Sequence, residues 1–250
     1  MTAPIVPGAE PLSTSDGEHG VLVIHGFTGN PVSMRGIADA AVAAGFAVEM
    51  PLLPGHGTSV DDMIPTRWAD WANAAEGAYT SLRDRVDGKV VVVGLSMGGA
   101  LTCHLATQHP EIAGIVAINA LVSEPAGIRD LLTGMVEAGE TTMDAIGSDI
   151  ADPDADEKAY DRTPLAPLVS LLEAAALLTP RLGSIACPTL IITSHQDHTV
   201  EPANSELLAA AVAGPVEHLW LDKSMHVATL DYDKADIEAA TIAFVHRVTA

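Results

Sequence analysis

Apolar residues along this chain fall into short unbroken runs, separated by longer stretches in which they recur every three or four positions. The runs at residues 20–25, 46–50, 89–94, 114–119, 189–194 and 216–221 are too short for helices and predict strands. The helical spacing predicts helices over residues 34–44, 68–85, 97–108, 203–213 and 233–248. Strand then helix, repeated, implies an α/β fold with a mostly parallel sheet and helices on both faces. The strand runs are nearly continuous in Val, Ile and Leu rather than alternating, as expected of strands buried on both sides.

The rhythm breaks after Asn119 and resumes only at Thr189. A structureless loop of that length is unusual in a compact domain. The interval contains helical patterns at residues 127–138 and 165–178, an acidic stretch at 149–157 and several prolines. These features predict a small helical cap, residues 124–181, inserted over the carboxyl edge of the sheet. Residues 1–123 and 182–250 then form the core domain. No internal repeat or low-complexity tract is present.

One run carries chemistry. Val90-Val91-Val92-Val93-Gly94-Leu95-Ser96-Met97-Gly98-Gly99 brings an apolar strand to a serine with glycine two positions before and after it, and a helix-forming run follows at once. This is the pattern of a nucleophile elbow, a sharp turn that holds a serine hydroxyl above the sheet edge. Attack through serine needs a base, an acid to orient it and donors for the oxyanion. With the chain order serine, acid, histidine, His226 after the last predicted strand is the base and Asp197 after the preceding one is the acid, with Asp222 as its rival. The Met97 N–H follows the nucleophile at a helix start, where amides lack intrahelical partners. A second donor is expected from His25-Gly26-Phe27-Thr28-Gly29 after the first strand, at the Phe27 N–H.

Other residues receive blander readings. His25 is a structural hydrogen-bonder. Gly55-His56-Gly57 is a tight turn near the site mouth, and Trp68 and Trp71 at helical spacing are core. His195 and His198 have a spacing that could suggest a metal, but a loop offers no helical face to present them, and the serine chemistry requires neither metal nor organic cofactor.

Composition narrows the partners. The chain has 250 residues, with 12 Lys and Arg against 33 Asp and Glu, a formal charge of −21. That balance argues against nucleic acid and against stable association with an anionic membrane. No apolar run reaches the length of a membrane span, and residues 1–10 lack the regions of a signal peptide. Cys103 and Cys187 sit in apolar company and are expected as buried thiols. A cytoplasmic enzyme is the expectation.

The motifs His25-Gly26-Phe27-Thr28-Gly29, Leu53-Pro54-Gly55-His56-Gly57-Thr58, Gly94-Leu95-Ser96-Met97-Gly98-Gly99 and His226-Val227-Ala228-Thr229-Leu230-Asp231-Tyr232-Asp233 span nearly the whole chain. With them, and with Ile146-Gly147-Ser148-Asp149 in the cap, the chain resembles the bacterial monoacylglycerol lipases and, more broadly, the thermostable carboxylesterases of the α/β-hydrolase superfamily. The resemblance implies an α/β-hydrolase fold and a tunnel for one acyl chain ending in a polar pocket for glycerol. It also implies head-group contact by Glu157, an entrance lined by Ile146, Asn119 nearby, and transient contact of the cap with lipid. Composition alone reads Glu157 as one more exposed residue of an acidic run. The rival readings are a carboxylesterase for short- to medium-chain esters, carbon–carbon hydrolysis or perhydrolysis on the same fold, and a non-catalytic ligand-binding homologue. The sequence leaves oligomeric state open.

Overall fold

The computed structural model describes residues 3–145 and 148–250. The chain runs through β1 (Leu12–Ser13), β2 (Gly20–Ile24), α1 (Arg35–Ala43), β3 (Ala47–Met50), α2 (Val60–Met63), α3 (Trp68–Arg83), β4 (Val90–Leu95), α4 (Met97–Ala106) and β5 (Gly114–Ile118). It continues through α5 (Ile128–Glu137), β6 (Thr142–Asp144), β7 (Arg162–Pro164), α6 (Leu165–Leu178), β8 (Thr189–Ser194), α7 (Ala203–Ala211), β9 (Val216–Leu221) and α8 (Lys234–Thr249). All six strands and five core helices expected from the hydrophobic pattern are present, with ends shifted by at most two residues. The two-residue β1 and the short α2 were not foreseen.

Seven strands form one sheet in the order β1-β3-β2-β4-β5-β8-β9, parallel throughout except for the β1 edge. Burial explains the unbroken apolar runs. Along β4, Val90 and Val92 join the core beneath α3 and α4, whereas Val91 and Val93 join the core on the opposite face with Ile37 of α1 and Phe244 of α8. Both faces of each central strand are therefore dry. The chain leaves β2 outward to β3, then returns to β4 on the other side of β2. The loops after β2 and β4 part at this switch point, and such a crevice at the carboxyl ends of parallel strands is where ligands bind in open α/β sheets.

Residues between β5 and β8 build α5, α6 and an antiparallel β6–β7 pair with Thr142 opposite Pro164 and Asp144 opposite Arg162. Strands of three residues, one of them ending in proline, carry no alternation to read, so the pair was invisible in the sequence. Leu132, Leu165, Leu171 and Leu178 are buried and pack into the same core as α4, which ties this stretch to the sheet. One expectation needs correcting. Leu165–Ser184, α6 with its following 3-10 turn, is long and apolar enough by length and composition to cross a membrane. Here one side of it packs against α4 and α5, which is what a core helix of that composition does.

Candidate active site

β4 delivers Ser96 with φ 57° and ψ −116°, and α4 starts at the next residue. A side chain at positive φ costs about 1–3 kcal/mol and persists where the surroundings over-determine it. The Ser96 N–H donates to Ile118 O at 2.9 Å, and its carbonyl accepts from Ala100 N at 3.0 Å and Leu121 N at 3.2 Å. Space dictates the flanking glycines. A Cβ on Gly94 would collide with the Gly98 backbone, and one on Gly98 with the carbonyls of Ile24 and His25. Among the described residues, neither the Phe27 nor the Met97 N–H donates to a backbone acceptor.

The His226 ring faces Asp197, with Nδ1 to Oδ2 at 2.7 Å and both residues buried. Asp197 Oδ1 accepts from Thr199 N and Val200 N, each at 2.8 Å. A carboxylate on Nδ1 fixes the proton there and leaves Nε2 as the acceptor. The rival acid Asp222 is 87% exposed and lies 3.7 Å from His195, so it plays no part in this pair. Ser96 and His226 line one cavity of about 180 Å³. A link between the Ser96 hydroxyl and Nε2 is not closed at hydrogen-bond geometry; such links are often long before substrate tightens them.

Carboxylates whose roles the sequence did not disclose hold the histidine loop. Asp231 Oδ2 accepts from Met225 N at 2.8 Å, and Asp233 Oδ2 from Lys223 N and Ser224 N at 3.0 Å. Asp149 Oδ2 accepts from His226 N at 3.2 Å and His198 N at 2.9 Å, while its Oδ1 lies 2.9 Å from His198 Nδ1. Burial pushes the Asp149 carboxyl up, but these donors outweigh it and hold it below the usual range. Asp231 and Asp233 lie within ten residues of the N–H groups they bind, but Asp149 is 77 positions from His226, and nothing in the sequence singled out any of the three.

The remaining histidines go separate ways. His195 stacks on Trp220, 4.5 Å between ring centres, and His198 turns to Asp149. His25 bridges loops: its Nδ1 lies 3.0 Å from Gly26 O and its Nε2 accepts from Leu53 N at 3.1 Å, with burial lowering its pKa to about 4. His56 packs edge-on against Phe27 and Trp71, behind the loop that presents the Phe27 amide. Trp71 is buried and Trp68 is partly buried against the same core. Cys103 is buried, but Cys187 is only half-buried.

The substrate-side expectations divide. Glu157 is 7% exposed and lines the cavity with Ser96 and His226. The reading from composition, an exposed acid, fails because residues 156–160 fold back onto the loop after β2. Asn119, expected near the head group, faces elsewhere: its Nδ2 donates to Ser194 Oγ at 3.1 Å and His226 O at 2.8 Å, and its Oδ1 accepts from Ser194 N at 2.9 Å. It braces the histidine loop against β8. Ile146 lies outside the described residues. Leu121, Ile128, Leu168, Leu172 and Val200 make much of the cavity wall apolar. A separate, more open groove of about 360 Å³ between α3, α5 and α6, lined by Arg67, Ser170 and Glu173, contains none of these groups.

Burial pushes the Glu157 carboxyl up to about 7 from an ordinary 4.5; His226 and the Ser148 hydroxyl pull the other way, and Asp156 adds to the rise. A carboxyl that holds its proton more tightly folded than unfolded makes the folded state lose stability as pH climbs from 4.5 through 7. Glu157→Gln removes that loss. The variant is expected to exceed the parent at pH 8 by on the order of 1–3 kcal/mol, a few degrees in Tm, with the gap closing toward pH 5. Thermal melts across this range check it, and parallel curves would contradict it.

A parallel sheet whose switch-point crevice holds a strained serine, a histidine–aspartate pair and two unpaired amides has the architecture of an α/β hydrolase. The chain belongs to the alpha/beta hydrolase family, whose model matches residues 21–240. It is 43% identical over 244 residues to the thermostable monoacylglycerol lipase of Bacillus sp. (strain H-257), covering 96% of each chain. It is 24% identical to a carboxylesterase of Bacillus subtilis (strain 168), covering 96% of this chain and 97% of that one. A solved structure from work on the metagenome-derived lipolytic enzymes LipS and LipT superposes with a TM-score of 0.93 at 40% identity, covering 98% of this chain and 100% of that one.

Proposed function

We propose that this protein is a serine hydrolase that cleaves monoacylglycerols to glycerol and fatty acid. His226 Nε2 takes the Ser96 proton as Oγ attacks the ester carbonyl, and the Phe27 and Met97 amides hold the oxyanion. Collapse breaks the bond to glycerol, which leaves with the proton from His226, and Ser96 carries the acyl group. Water, deprotonated by the same ring, releases the fatty acid. Residues 124–181 act as the cap. Exposed Leu131 and half-exposed Ile128, which also lines the cavity, support transient contact of the cap with lipid. Two unpaired cysteines suit a reducing, cytoplasmic setting.

The observation that carries the choice of substrate is the buried Glu157 carboxyl beside Ser96 and His226. Glycerol brings free hydroxyls that can pair with it, whereas an alcohol without them leaves a buried polar group unpaired. Glu157→Leu is expected to lower kcat/KM for a monoacylglycerol by about 10²-fold or more, with a much smaller effect on a p-nitrophenyl ester of the same acid. Equal loss on both esters, or none, would favour a general carboxylesterase of short- to medium-chain esters.

A further inference from the structure

Gly29 closes the loop after β2, yet its backbone does not demand glycine, since its φ lies outside the left-handed region. A neighbour excludes the side chain. A Cβ at Gly29 would run into Glu157 Oε1, with Glu157 Cδ at 3.3 Å and Gly26 O at 3.6 Å. The next residue, Asn30, is buried, and its Nδ2 donates to Glu157 O at 3.1 Å and Lys158 O at 3.0 Å. Its Oδ1 accepts from Val32 N at 3.0 Å. Lys158 has φ 54°, a strained turn that Asn30 holds from one side and Asp156 Oδ1, accepting from Lys158 N at 2.8 Å, from the other. Tyr160 N donates to Thr28 O at 3.3 Å. The loop that presents the Phe27 amide is thus also the seat of residue 157.

We propose that Gly29 and Asn30 set selectivity for the alcohol half of the ester, Gly29 by leaving room for the Glu157 carboxyl and Asn30 by fixing the turn that carries it. This inference rests on the reading of Glu157 as the alcohol-side contact. A methyl group at position 29 displaces only the tip of a flexible side chain, so it redirects the carboxyl without breaking the fold. Recognition of a polyol ester then suffers more than recognition of its acyl chain.

The test measures kcat/KM for 1-monolauroylglycerol and p-nitrophenyl laurate in Gly29→Ala, Glu157→Ala and the double variant, with a thermal melt of each. The ratio of the two constants is expected to fall about tenfold or more in Gly29→Ala, with Tm within a few degrees of the parent. Adding Gly29→Ala to Glu157→Ala should lower the ratio no further. If Glu157→Ala lowers the ratio and Gly29→Ala does not, the proposal fails while the reading of Glu157 stands. It also fails if Gly29→Ala slows both esters equally, or if its effect on the ratio persists undiminished without Glu157. If Glu157→Ala leaves the ratio unchanged, the reading of Glu157 falls and the proposal with it. Should Gly29→Ala not fold, Asn30→Asp keeps the acceptor for Val32 and removes both donors to residues 157 and 158; it should lower the same ratio, and an unchanged ratio overturns the proposal.

Discussion

Ser96→Ala is expected to lower kcat on every ester by about 10⁴–10⁶-fold, leaving only what the oxyanion donors and binding supply. Among the described residues, Thr28 is the other cavity hydroxyl at positive φ, but it donates to Phe27 O at 2.6 Å, whereas Ser96 precedes the Met97 amide at the start of α4. The fold should survive. The Ser96 side chain makes no hydrogen bond that caps α4, and the turn is held by backbone bonds and by the close approach at Gly94 and Gly98, all of which alanine retains. Melting curves of the variant should overlay those of the parent. Appreciable hydrolysis by a folded Ser96→Ala protein would refute the nucleophile assignment.

The second large effect is expected from Asp197→Asn, a loss of roughly 10³–10⁴-fold in kcat. Oδ1 can still accept from Thr199 and Val200, so the loop keeps its shape. The amide nitrogen now faces His226 Nδ1, where Oδ2 stood at 2.7 Å. An N–H donor there forces Nδ1 to accept and moves the ring proton to Nε2, so the imidazole cannot take the serine proton. Asp222→Asn provides the contrast, with kcat expected within about twofold, because a solvent-exposed carboxylate away from His226 changes little there. A reversed order of effects would make Asp222 the acid.

The sheet and its helices were legible because strands buried on both faces must be apolar without interruption, as residues 90–93 are. The elbow was legible because only glycine fits at Gly94 and Gly98. The placement of Glu157 was legible only through the family resemblance and not from composition, since it depends on Asn30 bonding a carbonyl 127 positions away, and residues 149–157 look like any solvated acidic run. Asn119 shows the converse. The resemblance put it near the head group, but its amide is committed to Ser194 and the histidine loop. The clamps by Asp149, Asp231 and Asp233 were hidden for the same reason, because their partners are backbone N–H groups, which a sequence does not distinguish from one another.

Whether Ser96 is the nucleophile can be read by mass spectrometry of the protein after reaction with a fluorophosphonate. One adduct per chain is expected, on the peptide containing Ser96, and none in Ser96→Ala. No adduct, or an adduct on a different residue that persists in Ser96→Ala, would contradict the assignment.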